Sequence, residues 1–294
     1  MVAPLTRGGS TWLITPASLS RFETARSAGA DVALLDLEDS VPQGGKESAR
    51  AAAIGCLTQA VAVGGTATVW GLRLNAPGTV HGLRDLVAVA ESGVRPAILL
   101  VPKVESPRDI ELVAKILDAD DGPPRIWALI ETPRAIGQLP GILGARSLAG
   151  VVFGAADYAA ATGCRRSSHA LWYPRSALAA GAAAAGLPAI DSPYFDINDA
   201  DGLRREAEEA SDLGFTGKGA VHPRQLLVIR EAFRPSAQEL AEAQATLTAA
   251  ETAGGVTAVG GRMVGPPLVA AARAVAGRAG DARQASASKE VPHG

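Results

Sequence analysis

Two acidic side chains stand alone at the ends of apolar, β-branched segments of strand length. Glu131 closes the segment RIWALIE, and Asp157 closes the segment VVFGAAD. After Glu131, the pair Thr132 and Pro133 indicates a helix start, because a threonine hydroxyl caps free amide groups and proline fits the first helical position. If the two strands are neighbours in one parallel sheet, the two acids face each other at its carboxyl edge.

A facing pair of carboxylates suits a hard divalent cation. Magnesium binds one or two protein carboxylates and keeps several waters, at metal–oxygen distances of about 2.0–2.1 Å. The spacing therefore predicts a Mg²⁺ site formed by Glu131 and Asp157, with room left for substrate. The alternative interpretation is that each acid only stabilises the start of the helix that follows it. Spacing alone does not decide between the two.

The composition predicts a soluble globular protein without nucleic-acid or membrane partners. The chain has 294 residues, 47% of them hydrophobic and 20% charged, and its formal net charge is −2. One large core is expected, without a basic surplus and without an apolar run near the roughly 20 residues of a membrane span. The two cysteines, Cys56 and Cys164, have no metal or redox spacing, and the N-terminus lacks a signal-peptide core. We therefore expect a cytoplasmic protein.

Strand and helix patterns alternate through residues 1–234. Eight repeats of this length predict an α/β protein with a (β/α)₈ TIM barrel. A doubly wound open sheet is the structural alternative, but it should carry a glycine-rich phosphate loop after the first strand, and TPASLSRF has none. The expected strands lie within residues 11–17, 32–42, 66–75, 96–106, 125–131, 151–157, 187–194 and 215–223.

Nearly every expected strand ends in an ionisable side chain. The carboxyl ends of barrel strands form the active face of such enzymes, so these side chains are the candidate site. They are Glu38, Asp39, Arg73, Lys103, Glu105, Glu131, Asp157, Asp191 and His222.

Residues 235–278 predict a helical extension that a barrel does not need. Helical patterns near 236–252 and 268–277 flank a glycine-rich turn, and we expect the extension to pack on the barrel or on a neighbouring subunit. Residues 279–294 are polar and are expected to be disordered.

Nine motifs in chain order carry a family resemblance. They are LLDLEDSVP, KESAR, LRLN, VPKVESP, IETPRAI, VFGAADY, AIDSPY, GFTGKGAVHP and GRMVGPP. Over almost the whole chain they resemble the citrate lyase beta subunit family, which belongs to a larger group of magnesium-dependent aldolases and lyases that includes malyl-CoA lyases.

The resemblance implies a barrel enzyme, homo-oligomeric and often trimeric, that cleaves a β-hydroxyacyl thioester into a keto acid and an acetyl-type thioester. The carrier of the thioester is coenzyme A or an acyl carrier protein. The resemblance also implies that Glu131 and Asp157 hold Mg²⁺ and that Arg73 binds substrate. These residue types suit the reaction, because bond cleavage leaves negative charge on two oxygens, which a metal ion and a planar guanidinium stabilise.

The resemblance extends to four further charged residues. Glu38 and Asp39 are expected to orient metal-bound water or Arg73, although solvated caps, or a simple ion pair of Arg73 with Glu38, are the alternatives. Arg21 and Lys46 match positions where relatives place basic residues for the phosphates of the carrier. For Lys46 an ordinary surface charge is the alternative.

Other ionisable residues in the motifs are expected to be structural. We expect Lys103, Asp191, Lys218 and His222 to form salt bridges and hydrogen bonds at the barrel mouth, with His222 in a strand-end role.

One position departs from the family pattern. In the related lyases the C-terminal motif carries an aspartate, expected to reach a neighbour's active site as acid or base, where this chain has Gly265. Glycine cannot transfer a proton, and general acid–base help is typically worth about 10²- to 10⁴-fold in rate. Glu38, Asp39 and Asp191 are the nearest substitutes.

Three functions remain open from the sequence. The first is a Mg²⁺-dependent lyase acting on citryl- or malyl-like thioesters. The second is a pyruvate-type aldolase acting on free keto acids, which the C-terminal extension and Tyr158 disfavour. The third, motivated by Gly265, is a thioester-binding homologue without catalysis.

Overall fold

Eight parallel strands close into a barrel. The structure, a computed structural model, describes residues 9–63, 68–118, 125–253, 257–259 and 262–287. Each strand pairs with the next one along the chain, and the last returns to the first, so the predicted (β/α)₈ barrel is confirmed and the open sheet is wrong. The strands are β1 (Thr11–Pro16), β2 (Val32–Asp36), β3 (Val69–Arg73), β4 (Ile98–Val101), β5 (Ile126–Ile130), β6 (Leu148–Phe153), β7 (Ala189–Asp191) and β8 (Gly217–Ala220).

In the part of the chain that the structure describes, ten α-helices connect or follow these strands. Polar side chains fix several of their starts: the Thr79 hydroxyl accepts a hydrogen bond from the Gly82 N–H at 3.0 Å, and Ser106 forms a capping box with Asp109. No helix in the described ranges is long and apolar enough to cross a membrane. The helices are α1 (Leu19–Ala28), α2 (Lys46–Val63), α3 (Val80–Ser92), α4 (Pro107–Ile116), α5 (Pro133–Gly137), α6 (Leu139–Leu143), α7 (Ala155–Thr162), α8 (Ser168–Ala184), α9 (Ala200–Leu213) and α10 (Gln225–Ala232).

An apolar core fills the barrel interior. The rings of Trp12 and Trp127 lie 4.5 Å apart between centroids, and a Cβ at Gly150 would lie 2.5 Å from Cη2 of Trp127. The absence of a side chain at Gly150 therefore makes room for the indole. The interior cluster consists of Trp12, Val32, Leu34, Ile98, Leu100, Trp127, Leu129, Val152 and Ile190.

A cluster of charged groups is buried at β7 and β8. Lys218 is fully buried, and its ammonium donates to Asp191 Oδ2 at 2.7 Å and to Glu206 Oε1 at 2.6 Å. Arg175 donates two hydrogen bonds to Asp191, each at 3.1 Å, and another to Glu209. Because both cations meet their carboxylates directly, Asp191 and Lys218 form salt bridges, as the sequence predicts. The bridges lie on the outer side of β7 and β8, toward α8 and α9, and not at the barrel mouth as expected.

The C-terminal extension contains two helices and a hairpin. The expected boundary at residues 234 and 235 falls in the link between α10 and α11 (Ala237–Ala253), and α11 packs against α12 (Pro266–Ala287). An antiparallel hairpin of β9 (Thr257–Val259) and β10 (Arg262–Val264) joins them. The structure differs from the expected disordered tail at residues 279–287, which continue α12, and residues 288–294 lie outside the described part.

Candidate active site

The two predicted metal ligands lie at the ends of neighbouring strands. Glu131 follows β5 directly, and Asp157 lies in the first turn of α7 after β6. β5 and β6 are paired in parallel up to Ile130 and Phe153, so both acids are at the carboxyl end of the barrel. The Thr132 hydroxyl accepts a hydrogen bond from the Ala135 N–H at 3.1 Å, as expected for the start of α5.

Glu131 is held in place by its neighbours. It is 1% exposed, and its Oε1 accepts a hydrogen bond from the backbone N–H of Lys103 at 2.9 Å. Burial raises its pKa to about 7, against the opposing effect of the Lys103 charge, while the Asp157 charge adds to the rise. A buried carboxylate of this kind favours a bound cation, because the cation replaces the lost solvation.

The ammonium of Lys103 lies between the two acids. Its Nζ is 3.3 Å from Glu131 Oε1 and donates a hydrogen bond to Asp157 Oδ1. Lys103 is also the one non-glycine residue in the described chain with a positive φ, at 55°. Such a backbone costs of order 1–3 kcal/mol and persists only where the surroundings fix it. The position of the Lys103 ammonium is thus one at which a cation contacts both carboxylates.

The donor set fits magnesium. Within the ranges that the structure covers, no group of three or more His, Cys, Asp or Glu side chains is arranged around a metal position. The protein would therefore supply Glu131 and Asp157 alone, and water and substrate would complete the coordination. Magnesium commonly binds in this way, through one or two carboxylates.

Replacing Lys103 with methionine is expected to tighten Mg²⁺ binding by about tenfold, because the ammonium and the metal ion repel each other at short range. Isothermal titration with MgCl₂, above the Glu131 pKa of about 7, measures the change. Lys115→Met, at an exposed position of α4, is the matched control. Weaker Mg²⁺ binding by Lys103→Met would contradict the expectation that the Lys103 ammonium repels the bound metal ion.

Gly154 leaves the space that Glu131 occupies. A Cβ at position 154 would overlap Glu131 Cβ and lie 2.7 Å from its Oε2. Gly154→Ala is expected to weaken Mg²⁺ binding by about 10- to 100-fold, as for other residues that orient ligands. The same titration tests it, with Gly137→Ala as control, because an added Cβ there meets nothing within 4 Å. Equal affinities for the two variants would rule out this packing role.

Arg73 is fixed by an acid that the sequence did not assign to the site. Its Nε donates to Asp36 Oδ1 at 2.6 Å, and its Nη2 donates to Asp36 Oδ2 at 2.7 Å. Burial would raise the pKa of Asp36, but the charge and hydrogen bonds of Arg73 outweigh it and hold that pKa below its ordinary value. Asp36 and Arg73 are register partners on β2 and β3, which is the signal that could have identified the pair.

The two acids predicted to orient Arg73 both approach it. Nη1 lies 3.1 Å from Glu38 Oε2 and 3.2 Å from Asp39 Oδ2. Glu38 is buried, whereas the side chain of Asp39 is 60% exposed. Burial, opposed by Arg73 and assisted by the charges of Glu131 and Asp39, raises the pKa of Glu38 from its ordinary value to about 8.

The raised pKa of Glu38 predicts a pH-dependent stability. Between pH values near 4.5 and 8 the folded protein holds a proton on Glu38 that the unfolded chain releases, so stability falls as pH rises across this range. Glu38→Gln should remove this decline and raise Tm relative to the wild type most at and above pH 8. Thermal melts over a pH series test it, with the exposed Glu111→Gln as control. An unchanged pH profile would contradict it.

Lys46 requires a correction. The side chain is 5% exposed, and its ammonium donates to the carbonyls of Leu37 and Glu38 at 2.8 and 2.6 Å. An ammonium committed to two buried carbonyls is not available for phosphates at the surface. We therefore assign Lys46 to support of the loop after β2 rather than to substrate binding.

A cavity of about 520 Å³ opens at this end of the barrel. It brings together Arg21, Asp39, Arg73, Glu131 and Asp157 of the predicted site, whereas Glu38 and Lys46 lie outside its walls. Sequence reasoning gave no site role to most of the other lining residues, among them Asp36, Ser192, Phe195 and Ile197.

The other strand-end residues have local partners. Glu105 accepts a hydrogen bond from the Thr132 hydroxyl at 2.8 Å. His222 lines the cavity, and its Nδ1 accepts a hydrogen bond from the Arg224 N–H at 3.1 Å. Gly265 precedes α12, and its carbonyl accepts from the Val269 N–H at 3.1 Å.

Comparisons with known proteins agree with this architecture. The model of the HpcH/HpaI aldolase/citrate lyase family matches residues 14–223. A citrate lyase subunit beta-like protein of Mycobacterium tuberculosis is 34% identical over 285 residues, which are 95% of this chain and 98% of that protein. The mitochondrial citramalyl-CoA lyase of Homo sapiens is 31% identical over 244 residues, which are 76% of this chain and 70% of that protein.

A solved structure supports the same relationship. CitE from M. tuberculosis, in complex with magnesium, acetoacetate and coenzyme A, is 33% identical and superposes with a TM-score of 0.79, covering 94% of this chain and all of that one. The family model spans well over half of the chain, and the relatives align over most of its length. The chain therefore belongs to the HpcH/HpaI aldolase/citrate lyase family.

Proposed function

We propose that the protein is a Mg²⁺-dependent carbon–carbon lyase that cleaves a β-hydroxyacyl thioester, of the citryl or malyl type, into a keto acid and an acetyl-type thioester. The observation that carries the proposal is the convergence of Glu131 and Asp157 on one cation position in a cavity that Arg73 also lines. The related CitE structure with magnesium, acetoacetate and coenzyme A supports it.

The reaction begins at the hydroxyl group of the substrate. Loss of its proton lets the oxygen form a carbonyl, the carbon–carbon bond breaks, and its electron pair passes to the thioester fragment as an enolate. Protonation of that enolate at carbon then gives the acetyl-type thioester. Bound Mg²⁺ would act as a Lewis acid toward the carboxylate and developing carbonyl of the keto acid.

Arg73 has the position and the chemistry to stabilise the enolate oxygen. Asp36 holds the guanidinium through two hydrogen bonds, so the group is oriented before substrate binds and needs little reorganisation during the reaction. Bidentate pairing fixes the plane of an arginine in a way that a lysine cannot reproduce. The side chain still lines the cavity.

Asp39 is the proposed acid–base group. Its carboxylate lies at the cavity wall, 3.2 Å from Arg73 Nη1, and is largely exposed, so it can exchange protons with water. Asp191 is unsuited to this role, because Lys218 and Arg175 enclose its carboxylate on the outer side of the barrel. Glu38 lies behind Arg73 and is assigned to positioning.

We also propose a cytoplasmic homotrimer that takes its substrate as a coenzyme A thioester. The free thiols of Cys56 and Cys164 agree with a reducing compartment. Arg21, exposed on the first turn of α1 and lining the cavity, is suited to a carrier phosphate. Light scattering on the purified chain tests the trimer, and comparison of coenzyme A with acyl-carrier-protein thioesters tests the carrier.

The central test is an assay of 2-oxo acid release by the full chain. Citryl-, malyl- and methylmalyl-CoA are supplied with Mg²⁺, and the released oxo acid is trapped as its phenylhydrazone. We expect cleavage of at least one thioester, its loss on EDTA treatment and its return with added Mg²⁺. Cleavage of free 4-hydroxy-2-oxo acids in preference to thioesters would favour the aldolase function instead.

Gly265 favours a second candidate function, thioester binding without turnover. A Cβ at this position would have Pro267 Cδ as its nearest neighbour, at 3.9 Å, so the first carbon of a side chain fits there. If the missing acid limits the rate, Gly265→Asp raises cleavage by about 10²-fold. Thioester binding with no cleavage by the wild type would support the non-catalytic function.

A further inference from the structure

The helix that carries Asp157 cannot be capped by its own first residue. Several other helices begin at a side chain that accepts a hydrogen bond from an amide of its own first turn, whereas the residue before α7 is Gly154. A Cβ at position 154 would overlap Glu131 Cβ, so serine, threonine and aspartate are all excluded there. The residues that cap their own helices include Ser18, Thr79, Thr132, Ser167 and Asp199.

Ser192 supplies the missing cap from the neighbouring strand. Its hydroxyl oxygen accepts a hydrogen bond from the N–H of Ala155, the first residue of α7, at 3.2 Å. Ser192 directly follows β7, which is paired in parallel with β6, the strand before α7. The N–H of Gly154 donates to the carbonyl of Ile130 on β5 at 3.0 Å. The start of α7 is therefore tied to the strands on both sides of β6.

Ser192 is itself held in place. The residue is 3% exposed, and its carbonyl accepts a hydrogen bond from the Lys218 ammonium at 2.7 Å. The same ammonium is fully buried and donates to Asp191, the residue before Ser192. Because one rotatable bond separates the serine backbone from its hydroxyl oxygen, a fixed backbone leaves that oxygen few positions.

Asp157 depends on the backbone of α7 for its position. Its side chain is 38% exposed, and its partner among the described residues is the Lys103 ammonium. That ammonium occupies the region of the proposed Mg²⁺, so it cannot hold the carboxylate once the metal is bound. Glu131, by contrast, is 1% exposed and accepts the Lys103 N–H. The separation of the two carboxylates is thus set by the first turn of α7, in which Asp157 lies two residues after Ala155.

We propose that Ser192 is a positioning residue for Asp157, because its hydroxyl fixes the first turn of α7 with the Asp157 carboxylate near that of Glu131. The inference rests on the proposed function, which places Mg²⁺ between these two acids. Loss of the hydroxyl leaves the Ala155 N–H without its acceptor and frees the first turn to move. Residues that orient metal ligands in this way typically contribute about 10- to 100-fold to metal affinity.

Calorimetric titration of the full chain with MgCl₂ tests this without requiring turnover. Ser192→Ala should weaken Mg²⁺ binding by about tenfold, whereas Ser192→Thr, which keeps a hydroxyl, should stay within about threefold of the wild type. Ser167→Ala is the matched control, because it removes the cap of α8, a helix without a proposed metal ligand. Its Mg²⁺ affinity should equal that of the wild type. Circular dichroism establishes that the variants fold.

The outcomes separate this inference from the lyase proposal. Unchanged Mg²⁺ affinity in a folded Ser192→Ala protein overturns the role of Ser192 and leaves the lyase proposal intact. Absence of Mg²⁺ binding by the wild type overturns both.

A double-mutant cycle shows whether Ser192 acts through Asp157. Asp157→Asn removes the carboxylate that Ser192 is proposed to position, so adding Ser192→Ala to that variant should cause no further loss of affinity. Mn²⁺, which takes the same carboxylate and water ligands, is the probe for the weakened sites, and paramagnetic resonance measures the free ion. An equal loss of about tenfold with and without the Asp157 carboxylate would overturn the inference.

Discussion

Replacing Glu131 with glutamine is expected to lower Mg²⁺-dependent thioester cleavage by roughly 10²- to 10³-fold, with a matching loss of Mg²⁺ affinity. Glutamine keeps the shape of the side chain and can still accept the hydrogen bond from the Lys103 N–H. The change therefore removes the negative charge and little else. Initial rates over a Mg²⁺ series, together with calorimetric titration, measure both effects.

The matched control for Glu131→Gln is Glu105→Gln. Glu105 lies at the end of the preceding strand unit, bonds to Thr132 and stands outside the cavity lining. The cleavage rate of the Glu105→Gln variant should stay within about twofold of the wild-type rate, as is usual for substitutions away from a site. A Glu131→Gln protein that binds Mg²⁺ and cleaves as the wild type does would show that the metal lies elsewhere.

Replacing Arg73 with methionine is expected to lower the free energy of unfolding by about 3–5 kcal/mol and to abolish measurable cleavage. The loss of stability follows because Asp36, fully buried, loses the guanidinium that compensates for the burial of its carboxylate. Urea unfolding followed by circular dichroism gives the free energy, and the oxo-acid assay gives the rate.

A double variant separates the two effects of Arg73. Arg73→Met with Asp36→Asn removes both charges of the pair, so most of the lost stability should return, since neutral replacement of a buried ion pair is often harmless. Cleavage should stay absent, because the guanidinium is missing. Recovery of cleavage in the double variant would mean that Arg73 acts only as a structural partner of Asp36.

The barrel and the acid pair were predictable because their signals are local. Strand patterns that end in a lone acid placed Glu131 and Asp157 at one edge of the sheet, and the order of the strands made them neighbours. The identity of the partner of Arg73 was harder to predict. Asp36 is the last residue of β2 and looks like its neighbours Glu38 and Asp39 in the sequence, and only the pairing of β2 with β3 distinguishes it.

The contacts of two lysine side chains could not be predicted from local sequence patterns. Lys46 opens α2 and reads as a surface charge, yet its long side chain folds back to the carbonyls of the loop after β2. Lys103 joins the two acids, and its backbone takes a left-handed conformation that the sequence VPKVES does not signal. Both positions depend on tertiary contacts that spacing along the chain cannot report.

The reactivity of the two buried lysine amines reports on local opening of the barrel. Amine-reactive reagents modify lysines that solvent reaches, such as the exposed Lys115, whereas Lys46 and Lys218 are 5% and 0% exposed. In the native protein these two amines are shielded, and each becomes reactive only when its own part of the barrel opens. Mass spectrometry of pulse-labelled peptides would therefore time the opening of the β2 loop and of the β7–β8 region separately.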